Sequence, residues 1–375
     1  MIDPSNTDIV RIPATTLELP VADMSVFESH EGMYVNIVAA GGGEDNIVFS
    51  EYYNFDRYGE TVVCKARNRI FQFTERNVPD IDGYSAHVDE VERSCVIIDD
   101  NNGSQNPDPA LLGGIAAYQI KDSFTFRGGD VVTNLKGPLF FSYDRWRVQP
   151  MSTDELSFTP SARPSLPDLA EGDLKLAFAN LLNYFTNYDG RGADNDEEFL
   201  RQSSKTSLAL SMMDADIVAV CELENAGATA ADDLVEKLNS RFSGGERVYS
   251  TATSDQGISM VGDDVIRVDV LFDTLKYEVL SFAMLTDDLV SQALLDESPS
   301  GTIFNGKSRV PLAVTFQDID TDKEFTVVVT HFKSKGDFSG DASGADEDQG
   351  DGAAHYNPTR KLSTLAVKEW LESSP

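Results

Sequence analysis

The chain has 375 residues, of which 41% are hydrophobic and 9% aromatic, enough apolar content for one or two cores and too much for wholesale disorder. Its 30 basic against 63 acidic residues leave a net charge of −33, far beyond the roughly 2 to 8 that keeps a small domain soluble. That excess reads as solvation in a saline setting, and it excludes capture of nucleic acid by general surface charge, so a polyanion must be drawn in by local Lys, Arg or metal, or met where salt screens the field.

The opening MIDPSNTDIV has neither a basic nor an apolar leader region, and no stretch approaches the ~18 to 20 apolar residues of a membrane span. A soluble chain without a visible export signal is expected. From about Val35 to Val148 short apolar runs alternate with Gly, Asn, Asp and Pro, which predicts an all-β barrel or sandwich over 1–150. Tyr52, Tyr53, Phe55, Tyr58, Phe71, Phe73, Tyr143 and Trp146 fall in this region; most are expected in the core, the alternative being a face on which bases stack. Cys64 and Cys95 lie in strand-like runs and can form one bridge in an exported protein, whereas Cys221 reads as core. Asp99 to Gly103 reads as a turn.

Pro160, Pro164 and Pro167 interrupt a polar stretch, predicting a linker over 151–172. A second domain is expected over 173–375, with mixed α/β content. Glu197 to Met213 reads as a helix with Phe199, Ser203, Thr206, Leu210 and Met213 on one face. Asp264 to Phe272, Val310 to Phe316 and Phe325 to Thr330 read as strands, the last two joined as a hairpin around Asp318 to Lys323. Gly336 to Ala354 is acidic and Gly-rich without EF-hand spacing, and is expected to be a mobile solvated loop. A final helix is signalled by Asn357 as cap and Pro358 at its first position.

Three apolar runs end abruptly in a polar residue: Leu174 to Ala179 in Asn180, Ile217 to Cys221 in Glu222, and Phe325 to Thr330 in His331. Strand ends are where α/β sheets place their sites. If the three strands share one sheet, an amide, a carboxylate and an imidazole meet on one rim, a set suited to a hard divalent metal and a phosphate ester. Singly each has an ordinary structural explanation, as a strand cap, a surface ion pair or a backbone hydrogen bond. No Gly-rich phosphate loop of the P-loop or dinucleotide type is present.

FANLLNYF from Phe178, RGADN from Arg191 with EEFLRQ following, DIVAVCELEN from Asp216, DVIRVDVLF from Asp264, SRVPLAVTF from Ser308, THFKSKG from Thr330 and YNPTR from Tyr356 occur in one order. So do EYYNFDRYGE from Glu51 and IIDDNNGSQNPDP from Ile97. In these motifs the chain resembles bacterial extracellular nucleases of the ExeM/NucH type, within the endonuclease/exonuclease/phosphatase (DNase I-like) superfamily. The resemblance implies an OB-like N-terminal domain, a four-layered α/β/β/α sandwich, an extracellular or periplasmic location, and a divalent cation, Mg²⁺ with Mn²⁺ or Ca²⁺ as alternatives. It implies metal-dependent phosphodiester hydrolysis of nucleic acid, DNA first, with Glu222 and Asn180 at the metal and His331 at the phosphate or leaving oxygen. Asn183, Asp194, Arg201, Asp264, Arg309 and Asn357 are the further candidates for substrate or supporting contacts. The pattern's later Gly-Asp-x-Asn and Ser-Asp-His motifs do not follow His331. The expectation is therefore an incomplete site that is inactive alone or needs a second piece. The alternatives are a phospholipid or small-phosphoester hydrolase of the same fold, and a non-catalytic nucleic-acid-binding fragment.

Overall fold

The computed structural model describes residues 12–41, 44–119, 125–162, 172–188 and 190–373. The opening decapeptide and two of the three prolines of the expected linker, Pro164 and Pro167, lie outside the described residues. The protein is a mixed α/β chain in two compact units: Met1–Pro167 with Gly350–Gly352, and Asp168–Gln349 with Ala353–Pro375. No described helix is long and apolar enough to cross a membrane.

The first unit contains β1 (Thr15–Leu19), β2 (Tyr34–Ala39), β3 (Asn46–Glu51), β4 (Thr61–Ala66), β5 (Cys95–Ile98), β6 (Val131–Ser142), β7 (Arg145–Val148) and β8 (Leu156–Thr159). The pairings β3–β4, β4–β5, β5–β7, β7–β6 and β6–β3 close a circuit, and β6 also carries β2 and β8. Closure removes the free edges that short strands would otherwise expose. The inward-facing Phe49, Val63, Ile98, Leu135 and Val148 are buried together. Arg147, 2% exposed, is compensated by Glu60 at 2.5 Å and Asp99 at 2.8 Å, as a buried charge requires.

Alongside α1 (Ser25–Ser29) and α2 (Phe55–Tyr58), this unit holds a fourteen-residue helix, α3 (Ile81–Ser94), which corrects the all-β expectation. Asp80 caps it by accepting from the Gly83 amide at 2.5 Å. Ile81, Tyr84, Val88 and Val91 recur at helical spacing, a stripe that the reading of this region as short strands passed over, and Ser94 is the helix's one buried residue. A second difference is β8, which lies inside the stretch expected to be a linker and pairs with β6. Cys64 and Cys95 face each other across β4 and β5 and are joined by a disulfide. The aromatics divide: Phe55, Phe73 and Trp146 are buried, while Tyr52, Tyr53 and Tyr143 are exposed.

The second unit contains β9 (Leu176–Tyr184), α4 (Asp196–Met213), β10 (Ile217–Glu224), α5 (Thr229–Asn239), β11 (Tyr249–Thr251), α6 (Ala252–Asp255), β12 (Ile266–Asp273) and β13 (Tyr277–Met284). After these come α7 (Gln292–Glu297), β14 (Leu312–Asp318), β15 (Glu324–Val329) and α8 (Asn357–Ser373). One sheet has the order β11-β12-β10-β9 and a second the order β13-β14-β15. The expectation that the strands leading to Asn180, Glu222 and His331 share a sheet is therefore corrected: β9 and β10 are parallel neighbours, and β15 belongs to the other sheet.

The two sheets pack face to face, Cys221, Val268 and Val270 of one against Val314, Phe316 and Val329 of the other. On the far side of the first sheet, Phe199 and Leu210 of α4 and Leu234 and Leu238 of α5 close over Val218, Val220 and Leu223. β10 is thus buried on both faces, which is why its sequence is a continuous apolar run. Asn195 caps α4 by accepting from the Glu198 amide at 3.0 Å, and Glu198 returns the contact through Asn195 Nδ2 at 3.1 Å. The first turn of α8 is capped by Asp346, which accepts from the Thr359 amide at 3.3 Å and its hydroxyl at 2.7 Å. Asn357 is the first residue of that helix. Asp346 is 2% exposed and Ala353 4%, so the expectation of a wholly solvated loop over Gly336 to Ala354 is also corrected.

Candidate functional site

β10 delivers Glu222 through an irregularity. Opposite β12, Cys221 pairs with Val268 and Leu223 with Arg267, so Glu222 is an extra residue bulged out of the ladder. Opposite β9, Cys221 pairs with Asn180 and Leu223 with Tyr184, leaving Leu181, Leu182 and Asn183 unpaired. Glu222, Leu182 and Asn183 have φ of 62°, 54° and 55°. Each such non-glycine conformation costs about 1 to 3 kcal/mol and persists only where surrounding contacts impose it.

The contacts that impose it converge on the Glu222 carboxylate. Oε1 accepts from Asn180 Nδ2 at 2.9 Å, and Oε2 accepts from the Asn183 amide at 3.1 Å. Asn180 Oδ1 accepts from the Leu182 amide at 2.8 Å, so one side chain joins the bulge to the unpaired turn. From α4, Gln202 Nε2 donates to the carbonyls of Leu181 at 3.1 Å and Leu182 at 2.8 Å.

β15 of the other sheet brings His331 to the same place, with Nε2 3.7 Å from Glu222 Oε1. Side-chain exposures of 20% for His331 and 18% for Glu222 leave both reachable. Burial and the Arg309 charge lower the imidazole pKa below its usual 6.5, against the pull of Glu222 and Asp264 in the other direction. The ring is neutral at pH 7, and its Nδ1 is buried without a partner among the described residues.

Arg309 lies against His331 through its own amide, which donates to the His331 carbonyl at 3.0 Å. Its Nε is 3.1 Å from Asp264 Oδ2. Asn180, Asn183, Glu222, His331, Asp264 and Arg309 therefore form one neighbourhood. Three other candidates lie apart from it in their contacts: Arg201 pairs with Glu197 on the exposed face of α4, the Asp194 amide donates to Glu198, and Asn357 begins α8.

Two lysines absent from the sequence expectations adjoin Arg309. The Lys333 amide donates to Ser308 Oγ at 3.0 Å, which ties the two segments together. Lys333 Nζ and Lys307 Nζ lie 4.7 and 5.2 Å from the centre of the Tyr356 ring. Burial and the charges of Arg309 and Lys307 lower the Lys333 pKa. The basic spacing of Lys307, Arg309 and Lys333 was visible in the sequence, but only the hairpin geometry groups it.

Glu224, two residues beyond Glu222, borders a cleft of about 440 Å³ with Phe185, Arg191 and Val265. Its oxygens already accept from the Thr186 amide and hydroxyl at 2.8 and 2.9 Å and from Asn187. It is a structural carboxylate, and Glu222 is the accessible one.

A divalent cation can be weighed against this donor set. No group of three or more His, Cys, Asp and Glu that could hold a metal occurs among the described residues. Hard cations accept a sparser protein set, however, because Mg²⁺ is commonly held by one or two carboxylates with water and substrate phosphate completing its shell. Glu222 supplies one carboxylate, and Asn183 Oδ1 is a buried oxygen without a partner among the described residues. These residues fit a weakly held, hydrated oxygen-loving ion.

No family model matches the chain, and no curated protein matches it. Among solved structures, it is similar to an endonuclease/exonuclease/phosphatase family protein from Bacteroides thetaiotaomicron, at 16% identity and a TM-score of 0.33, over 53% of this chain and 57% of that one. It is similar to a second such protein, from Bacteroides vulgatus, at 16% identity and a TM-score of 0.32, over 54% of this chain and 62% of that one. A mannosyl-6-phosphatase from Bacteroides thetaiotaomicron is similar at 16% identity and a TM-score of 0.33, over 53% and 59%. The chain thus spans less than two thirds of each of these structures, and at these scores the likeness assigns no activity.

Proposed function

We propose that this protein is a divalent-cation-assisted phosphodiesterase acting on nucleic acid, DNA first. The observation that carries the reading is the meeting of Glu222, Asn180 and His331 from two sheets around a strained bulge, with Arg309 beside them. Strain of this kind clusters where a side chain must be aimed. Glu222, with Asn180 or Asn183 adjoining, would hold the cation. When bound, such an ion supplies charge stabilisation to a phosphoryl oxygen and lowers the pKa of water.

The chain's own residues perform the remaining tasks. Asn180 and the Asn183 amide fix the rotamer of Glu222, so the carboxylate is oriented before substrate arrives. His331, neutral at pH 7, presents a hydrogen-bonding nitrogen to a phosphate or leaving oxygen without adding a permanent charge. Arg309 adds a fixed positive charge next to that nitrogen, where negative charge develops on a phosphodiester.

Nicking of supercoiled plasmid in saline buffer with Mg²⁺ tests the proposal. Against the sequence-based expectation of a site inactive on its own, the wild-type chain is expected to nick, with activity lost in EDTA and reduced roughly a thousandfold or more in Glu222→Gln. A folded wild-type chain that leaves the plasmid intact contradicts the reading, as does Glu222→Gln nicking at the wild-type rate.

A further inference from the structure

Lys307, Arg309 and Lys333 form a concentration of positive charge in a chain of net charge −33. Arg309 is paired with Asp264, but neither Lys307 nor Lys333 forms an ion pair among the described residues. Their positions are nevertheless built rather than incidental. Ser308 Oγ accepts from the Lys333 amide at 3.0 Å and meets Ser363 Oγ of α8 at 2.8 Å, while the Arg309 amide donates to the His331 carbonyl at 3.0 Å. Both ammonium groups lie over the ring of Tyr356, which is fully buried and fixed by its hydroxyl donating to Asp337 Oδ1 at 2.7 Å. An aromatic ring face attracts a cation, which offsets part of their mutual repulsion.

Asp264 and Asp337 act on Lys333 from nearby, but neither lysine is neutralised by an ion pair among the described residues, which leaves the pair open to an anion. The segments that fix them are tied to His331 through the Arg309 amide, so an anion bound there would lie near a phosphate at His331. A phosphomonoester offers no second anion at that distance, whereas a polynucleotide strand does, at the next phosphate of its backbone. We infer that Lys307 and Lys333 form a subsite for the phosphate flanking the scissile one, so that the site takes a polynucleotide strand in preference to an isolated phosphoester. The inference rests on the function proposed above and specifies its substrate class.

Two assays separate the two claims. The first is binding of a labelled single-stranded hexanucleotide without divalent cation, followed by fluorescence anisotropy over a range of salt. The plot of log affinity against log salt is expected to flatten by about 0.7 per lysine in Lys307→Gln/Lys333→Gln and to keep its slope in Lys307→Arg/Lys333→Arg. The second is turnover of a trinucleotide with two phosphodiesters against a dinucleotide with one. Wild type is expected to prefer the trinucleotide roughly tenfold in kcat/KM, and the Gln pair to lose that preference.

An unchanged salt slope in the Gln pair, at an unchanged unfolding temperature, overturns the inference. So does sedimentation of the wild type with anionic phosphatidylglycerol vesicles in the absence of hexanucleotide binding, which would make the anion a lipid headgroup. A slope that flattens in a chain without turnover keeps the subsite and overturns the hydrolytic reading instead.

Discussion

Asp216 directly precedes β10 and Glu222 lies near its far end, and their surroundings divide stability from function. Asp216, 5% exposed, accepts from the Lys175 amide at 2.8 Å, Arg247 Nη1 at 3.0 Å and Lys276 Nζ at 2.6 Å. Burial pushes its pKa up, but Lys276, the Lys175 amide and Arg247 together hold it below the ordinary 3.8. A carboxylate lowered by folding contributes its stability in full above that ordinary value, and loses it as pH falls through the lower folded value. Asp216→Asn is therefore expected to unfold about 2 kcal/mol more easily at pH 7. In urea melts the gap from wild type should shrink below pH 3.8; a gap that stays constant into acid contradicts this assignment. Among the described residues Glu222 has no Lys or Arg within ion-pair distance and pairs only with His331, at 3.7 Å, so it is left for a ligand. Asp216 stands just before a continuous apolar run, and Glu222 was legible at the sequence level as the polar end of that run. Which one was structural was not, because Lys276 and Arg247 are far away in sequence.

At the level of elements, the site depends on α4 holding a turn it does not belong to. Gln202 Nε2 donates to the carbonyls of Leu181 and Leu182, and these precede the Asn183 amide that binds Glu222. Gln202→Ala removes those donors while α4 keeps its cap at Asn195. Stability is expected to fall by only about 1 kcal/mol, whereas phosphodiester turnover falls between about 10- and 100-fold as Glu222 loses its aim. Equal small effects on both would mean that the turn holds itself. The helix was legible from its apolar face, and the strands from their runs. Gln202 was not, since its partners are backbone carbonyls of another element. α3 escaped for a different reason: Ile81, Tyr84, Val88 and Val91 recur at helical spacing, but the reading of short strands between turn residues was extended across them. The segment from Gly336 to Ala354 has the composition of a solvated loop, yet it buries Asp346 to cap α8.

At the scale of the whole molecule, the meeting of Asn180, Glu222 and His331 was expected from three strands sharing one sheet, and it comes about by another route. The three strands do not share a rim; Glu222 comes from one sheet and His331 from the other, and the site exists because the sheets pack face to face. Period-two and apolar-run patterns reveal which residues are strand, and carry little information on which sheet a strand joins. The charge of −33 likewise indicated that cations near a polyanion site must be local, without saying where they gather. On the function proposed, residues from the two sheets act as one phosphodiesterase site. A double-mutant cycle on cleavage of a dinucleotide phosphodiester with Mg²⁺ tests it most directly, using Glu222→Gln, His331→Gln and the pair. If the site is one unit, each single change lowers kcat/KM by roughly a thousandfold, and the double variant loses no more than a few-fold beyond the worse single. Losses that multiply independently, or a Glu222→Gln chain that cleaves like wild type, would contradict it.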